Sequence, residues 1–130
     1  MNAYATAQRA YTESSVLTAS PERLIVMLYD GAIRFLNQSG VALREGSRDR
    51  AREKMRRAEA IVDELNISLD MSHGEIPQSL REIYLFCKRQ LHTANVQAEP
   101  ARIDAVTKLL ADLRESWNEL AAQADAKRVA

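Results

Sequence analysis

The sequence has few of the residues that mark disulfide-linked, β-rich or nucleic-acid-binding proteins. Its single cysteine, Cys87, excludes an internal disulfide and a zinc-finger framework, as suits a reducing cytoplasm. Four glycines and three prolines in 130 residues argue against an all-β sandwich with its many turns. The 18 Lys and Arg residues cancel the 18 Asp and Glu residues. Neither a strongly basic domain that binds nucleic acid nor a polyacidic protein is therefore expected.

Long apolar segments are also missing. No uncharged run approaches the ~20 residues of a membrane span. The N-terminus has no basic region followed by an apolar stretch, so a secretion signal is not expected. A chain of 130 residues that is 46% hydrophobic can bury a core as one domain. We therefore expect a soluble, cytoplasmic, single-domain protein without membrane insertion.

The three prolines divide the chain into helical segments. Each precedes a long stretch rich in Ala, Leu, Glu and Arg, and proline is favoured in the first turn of a helix. Further breaks fall at Gly46-Ser47 and at His73-Gly74. The pattern predicts four helices at about 21–45, 47–71, 77–97 and 100–127.

Apolar residues recur every three or four positions in all four segments. Such stripes bury against one another, and short connections make neighbouring helices antiparallel. We expect an all-α, up-and-down four-helix bundle over residues 20–127. The predicted inward stripe of the first helix is Leu24, Leu28, Gly31, Phe35 and Ser39. That of the last helix is Ile103, Val106, Leu110, Leu113, Trp117 and Leu120.

Residues 1–19 differ from the rest of the chain. They carry two charges, Arg9 and Glu13, and show no sustained hydrophobic period. We expect a mobile N-terminal arm with a few apolar side chains.

More apolar residues are present than four inward stripes use. The six residues from Leu24 to Tyr29 are all apolar and cover the whole circumference of a helix. The surplus residues on faces expected to be wet are Val26, Met27, Ile33, Ile61, Ile67, Leu85 and Phe86. A set of exposed apolar side chains predicts an interaction groove. Two other interpretations stay open: the stripes are slightly rotated, or the arm covers the surplus.

The second helix has an inverted charge order. Residues 48–57 carry six basic and two acidic side chains, whereas residues 59–70 carry four acidic and no basic ones. The helix dipole favours the opposite order. Arg48, Arg52 and Arg56 form a stripe that fits either an acidic partner or a solvated face paired with neighbouring helices.

Residue patterns typical of catalysis are missing. The sequence has no Glu-x-x-His pair, no Gly-rich phosphate loop and no Ser/His/Asp arrangement, so we expect no enzyme, metal or cofactor. Cys87 lies on an inward stripe and is expected to be a buried, inert thiol. His92 on the third helix leaves a histidine phosphotransfer module as an alternative function. A further alternative is self-association through the surplus apolar patches.

An ordered series of segments resembles a known family. Leu17-Thr-Ala-Ser-Pro-Glu-Arg-Leu24 and Met27-Leu-Tyr-Asp-Gly-Ala-Ile33 resemble the opening of the flagellar secretion chaperones that bind flagellin, the FliS family. Tyr11 stands where that family carries a tyrosine. Further matches follow at Ala60–Asp70, Leu80-x-x-Ile-Tyr84, Arg89-x-Leu91, Ala94-Asn95 and Leu113-Arg-Glu-Ser-Trp117. The chain departs from the family at Ser39 and Gly40, where alanines are usual, and at Cys87, where a larger apolar residue is common.

The resemblance implies both a fold and a function. It implies a four-helix bundle that binds the C-terminal segment of flagellin in apolar grooves in the cytoplasm. Such a protein prevents premature polymerisation and assists delivery to the flagellar export gate. Tyr11 and Leu17 of the arm are expected to join the seven surplus apolar residues in partner binding.

Overall fold

A computed structural model describes residues 18–129 of the chain, which contain four α-helices joined by short connections. The helices are α1 (Pro21–Arg44), α2 (Arg48–Ile67), α3 (Glu75–Gln97) and α4 (Pro100–Val129). The all-α prediction is confirmed. Tyr11 and Leu17 lie outside the described residues.

The first helix begins where the sequence predicts. Pro21 occupies its first position, and the Ser20 hydroxyl accepts a hydrogen bond from the backbone N–H of Arg23 at 3.1 Å. This bond satisfies one of the N–H groups that a helix start leaves unpaired.

The helix ends on either side of the connection between α2 and α3 differ from the prediction. Helix α2 ends at Ile67 rather than at residue 71, and the residues that follow form turns. In one of these turns the Asp70 carboxylate accepts hydrogen bonds from both the backbone N–H and the hydroxyl of Ser72. Such side-chain bonds compete with continuation of the helix. Helix α3 begins at Glu75, two residues before Pro77.

Helix α1 is the best-packed helix of the bundle. It packs extensively against both α2 and α4, whereas α3 packs less closely against its two neighbours. Three ion pairs cross the seam between α1 and α4, and their order along the chain makes these helices antiparallel. The pairs are Arg23–Asp125, Arg114–Asp30 and Arg44–Asp104.

The core corrects the predicted stripe of α1. Its buried residues are Val26, Tyr29, Ala32, Leu36, Ser39, Gly40 and Ala42. The predicted stripe residues Leu24, Leu28, Gly31 and Phe35 are only partly buried. Because α1 packs on two neighbours, its buried arc is wider than one stripe and is rotated from the predicted one. Helix α4 shows a similar change near its end, where Ala121 is buried and Leu120 is exposed.

The unusual small residues of α1 fit close helix contacts. The buried Ser39 hydroxyl donates a hydrogen bond to the Ala51 carbonyl oxygen of α2 at 2.7 Å. A Cβ atom at Gly31 would lie 3.1 Å from Ile61 Cδ1, closer than ordinary van der Waals contact. Gly31 therefore permits a close approach of α2.

Candidate partner-binding surfaces

Val26 belongs to the interior and not to an exposed surface. It is 1% exposed. Arg23 and Asp30, which lie three and four residues from it on the same side of α1, both bind side chains of α4. Helix α4 therefore covers this side. The expectation that Val26 lies on an uncovered face is wrong.

Three more of the predicted residues are partly buried. Ile33 and Ile61 pack against the core cluster, and Met27 is also partly accessible. Ile61 faces Gly31 across the seam between α1 and α2. Met27, one turn before Gly31, lies on the same side of α1. Met27 and Ile61 therefore offer limited apolar area near this seam.

Ile67 and Leu85 lie at the seam between α2 and α3. Lys88 Nζ of α3 lies 2.7 Å from Asp63 Oδ1 of α2, and this ion pair fixes the facing sides of the two helices. Ile67 follows Asp63 by four residues and Leu85 precedes Lys88 by three, so both lie near this ion pair. Their exposed fractions are 75% and 40%. Leu85 also lines a depression of about 340 Å³ together with Met71.

Phe86 lies on the other side of α3. Gln90, one turn later, accepts a hydrogen bond from Arg102 of α4 at 2.9 Å. Phe86 is therefore near the seam between α3 and α4, where its side chain is 44% exposed. Five of the predicted residues are thus distributed over three seams of the bundle and do not line one groove: Met27, Ile61, Ile67, Leu85 and Phe86.

An apolar pocket at one end of the bundle was not predicted. It has a volume of about 170 Å³, and all four helices contribute to its lining, including Ile25, Leu65, Leu80 and Trp117. Ile76 also lines it. Trp117 belongs to the predicted inward stripe of the last helix, so periodicity alone did not indicate an opening there. Ile76 precedes the predicted start of its helix and was therefore not placed on any face.

A buried hydrogen-bonded pair lies beside this pocket. The hydroxyl oxygens of Tyr29 and Tyr84 are 2.6 Å apart. Burial raises the pKa of both tyrosines, and it raises that of Tyr29 well above the ordinary value. The pair is neutral at physiological pH and gives the apolar interior one fixed polar contact.

The arginine stripe of α2 has a structural partner. Arg48 Nη2 donates hydrogen bonds to the carbonyl oxygens of Asn95 at 2.8 Å and Val96 at 3.4 Å. These carbonyl groups belong to the C-terminal turn of α3, the negative end of its dipole. Because α2 and α3 are antiparallel, the basic half of α2 lies beside this end. The charge order that is unfavourable within α2 is favourable between the helices.

The other two arginines of the stripe line a small cleft with His92. The cleft has a volume of about 130 Å³ and also includes Glu59. Burial raises the pKa of Glu59, and the positive charge of Lys88 opposes that rise. His92 itself is exposed.

Clusters that support metal chemistry are absent from residues 18–129. Within this range, no group of three or more His, Cys, Asp and Glu side chains is placed to hold a metal ion. The buried thiol of Cys87 has a pKa raised to about 11 by burial, so it stays protonated and unreactive at neutral pH. None of the helices described is long and apolar enough to cross a membrane.

The structure thus defines an all-α bundle with apolar side chains exposed at several helix seams. The profile of the family described as flagellar protein FliS matches residues 3–124, and the chain belongs to this family. The resemblance seen in the sequence motifs is confirmed.

Three relatives from distant bacteria illustrate the match. All three are named flagellar secretion chaperone FliS. The Salmonella typhimurium protein is 35% identical over 114 residues, covering 86% of this chain and 84% of its own. The Campylobacter jejuni protein is 32% identical over 115 residues, covering 88% and 90% respectively. The Bacillus subtilis protein is 30% identical over 110 residues, covering 85% and 82%.

Proposed function

We propose that this protein is a flagellar export chaperone that binds the C-terminal segment of flagellin in the cytoplasm. It prevents premature polymerisation and assists delivery of flagellin to the export gate. The relatives' names support the chaperone role. The assignment of a flagellin segment as the ligand rests on the exposure of apolar side chains at several seams.

The arrangement of these side chains fits an extended ligand. Met27 and Ile61 lie near the α1–α2 seam, Ile67 and Leu85 at the α2–α3 seam, and Phe86 near the α3–α4 seam. A rigid globular partner contacts one side of a bundle, whereas a polypeptide that wraps around it reaches all three seams. Each anchor that the polypeptide buries contributes roughly 1.5–3 kcal/mol before the cost of ordering the chain.

The N-terminal arm is part of the proposal. Tyr11 and Leu17 of residues 1–19 contribute apolar side chains to the bound complex. Removal of residues 1–17 is expected to weaken binding of the flagellin segment without unfolding the four-helix bundle.

Titration with a synthetic flagellin C-terminal segment tests the ligand and its location together. Isothermal calorimetry is expected to give a one-to-one complex with the wild-type protein. Phe86→Asp and Met27→Asp each place a charge in the proposed interface and are expected to weaken binding by about tenfold or more.

Two controls make this experiment decisive. Val96→Asp introduces the same charge at another exposed apolar position, 61% exposed near the end of α3, and is expected to bind normally. Circular dichroism verifies that each variant is folded. Unchanged affinity in both the Phe86 and Met27 variants would falsify the assignment of the surface, and absence of binding to the wild type would refute the ligand.

A further inference from the structure

The seam between α1 and α2 differs from the others in its charges. Three ion pairs join α1 to α4, and Lys88–Asp63 joins α2 to α3. Within residues 18–129, no ion pair joins α1 to α2. Arg34, Arg50 and Lys54 have no carboxylate within ion-pair distance there, and the cation of Arg57 pairs with Glu53 of its own helix.

The cations are gathered around one aromatic ring. Arg34 Cζ lies 5.4 Å from the centroid of the Phe35 ring, and Lys54 Nζ and Arg57 Cζ each lie 5.8 Å from it. Cations at this distance are attracted to the ring face. The ring therefore holds three positive groups from two helices close together at the surface.

A groove continues from this cluster along the same seam. Its volume is about 400 Å³, and Asn37, Gln38, Val41, Ala42, Arg50 and Lys54 line it. Val41 is 55% exposed, so it offers an apolar contact among amide and cationic groups. We refer to the surface formed by Arg34, Phe35, Val41, Arg50 and Lys54 as the basic groove.

We propose that the basic groove docks an acidic protein segment that carries an apolar side chain. The carboxylates of the segment pair with Arg34, Arg50 and Lys54, while its apolar side chain packs on Val41. The groove contains none of the residues assigned above to flagellin binding. This inference is therefore independent of the proposed function, and failure to bind flagellin does not affect it.

Charge complementarity identifies the occupant. The N-terminal arm does not supply it, because residues 1–17 contain one acidic residue, Glu13, and one basic residue, Arg9. Nucleic acid fits less well than protein, since the chain has no net charge and the groove has an apolar contact at Val41 among its cations. An acidic peptide with an apolar anchor satisfies both the charges and the exposed valine.

The test uses two fluorescein-labelled 14-residue peptides and fluorescence anisotropy. One peptide repeats Glu-Ala-Leu-Glu-Asp-Leu-Ala, and the other has Lys at every acidic position. The wild-type protein is expected to bind the acidic peptide and not the basic one. The double variant Arg50→Glu/Lys54→Glu is expected to lose about tenfold or more in affinity, because repulsion replaces attraction.

Matched variants distinguish binding at the basic groove from a general effect of the protein's net charge. Arg89→Glu/Arg81→Glu makes the same change of net charge on α3, where both residues are exposed, and is expected to bind the acidic peptide normally. Val41→Ser removes the apolar contact without adding charge and is expected to weaken binding. Circular dichroism and thermal melting check that all variants are folded.

Each of the following results would overturn the proposal. The two double variants bind the acidic peptide with equal affinity. The wild-type protein binds a single-stranded 14-residue oligonucleotide as tightly as the acidic peptide. The wild-type protein does not bind the acidic peptide. Sedimentation at several protein concentrations tests whether a second copy of the chain occupies the basic groove instead. A dimer that dissociates only in Arg50→Glu/Lys54→Glu would also contradict an acidic partner segment.

Discussion

The Tyr29 and Tyr84 hydroxyl oxygens lie 2.6 Å apart and join α1 to α3 through the bundle interior. The extensive backbone packing of α1 is with α2 and α4 instead. The two rings are tilted by 50° with centroids 6.5 Å apart, so they also make an apolar contact. The pair is a direct link across the bundle between two helices that are not neighbours.

Removing either hydroxyl is expected to destabilise the protein. Tyr29→Phe leaves the buried Tyr84 hydroxyl without its partner and is expected to cost about 1–3 kcal/mol. Tyr84→Phe leaves the buried Tyr29 hydroxyl without its partner in the same way and is expected to cost a similar amount. Urea unfolding of the two single variants and the double variant measures these losses. Additive effects of the two substitutions would contradict a direct bond, since the double variant removes both partners together.

Alkaline pH is expected to lower stability first through Cys87. Burial raises the pKa of its thiol from 9.0 to about 11. The stability that the buried, protonated thiol contributes is therefore complete below pH about 9. It is lost as the pH rises towards 11, because the thiol of the unfolded chain releases its proton first. Unfolding free energies of wild type and Cys87→Ala at pH 8 to 10.5 measure this loss. Cys87→Ala is expected to be less stable than wild type at pH 8, but its unfolding free energy should fall less steeply as the pH rises. An equally steep fall in both proteins would show that the Cys87 thiol does not cause the loss of stability.

The contact between Gly31 and Ile61 predicts a coupled effect of two substitutions. Gly31→Ala alone is expected to change stability little, since the gain in helix propensity of ~1 kcal/mol is offset by crowding against Ile61 Cδ1. In an Ile61→Val background that atom is absent. Gly31→Ala should then stabilise by about 1 kcal/mol, as measured by chemical denaturation. Equal effects in both backgrounds would show that the crowding is unimportant.

Arg48 and Arg52 form a matched pair for testing the arginine stripe. Arg48 bonds to the C-terminal carbonyl groups of α3, whereas Arg52 makes no such bond. Arg48→Ala is expected to lower the unfolding free energy by about 0.5–1 kcal/mol at low salt and by less at high salt. Arg52→Ala should change it by less than about 0.5 kcal/mol. Thermal melts at two salt concentrations measure the stability of both variants. Equal losses in the two variants would show that the bonds of Arg48 to α3 add no stability.

The sequence predicted the helices well where local chemistry determines them. Pro21 and Pro100 mark the starts of α1 and α4, as proline does in a first helical turn. Local chemistry also explains why the start of α3 was predicted two residues too late. Gly74, with φ of +90°, allows α3 to begin before Pro77, and a lone Gly in a loop does not reveal which conformation it adopts.

The surface was harder to predict because it depends on helix packing. Ile67, Leu85 and Phe86 were identified as surplus apolar residues, and all three are exposed. Val26 was not distinguishable from them, because its burial depends on how far α4 extends along α1. The basic groove was missed for a similar reason. Lys54 and Phe35 are 19 positions apart in the sequence and meet only through the close packing of α1 and α2.

The seam between the first and last helices also has a consequence for synthesis on the ribosome. Arg23 binds Asn118 and Asp125, so one side of α1 stays uncovered until the final helix has emerged. A nascent chain that ends before α4 exposes Val26 and its apolar neighbours to solvent. The bundle therefore cannot complete its fold until α4 has been synthesised.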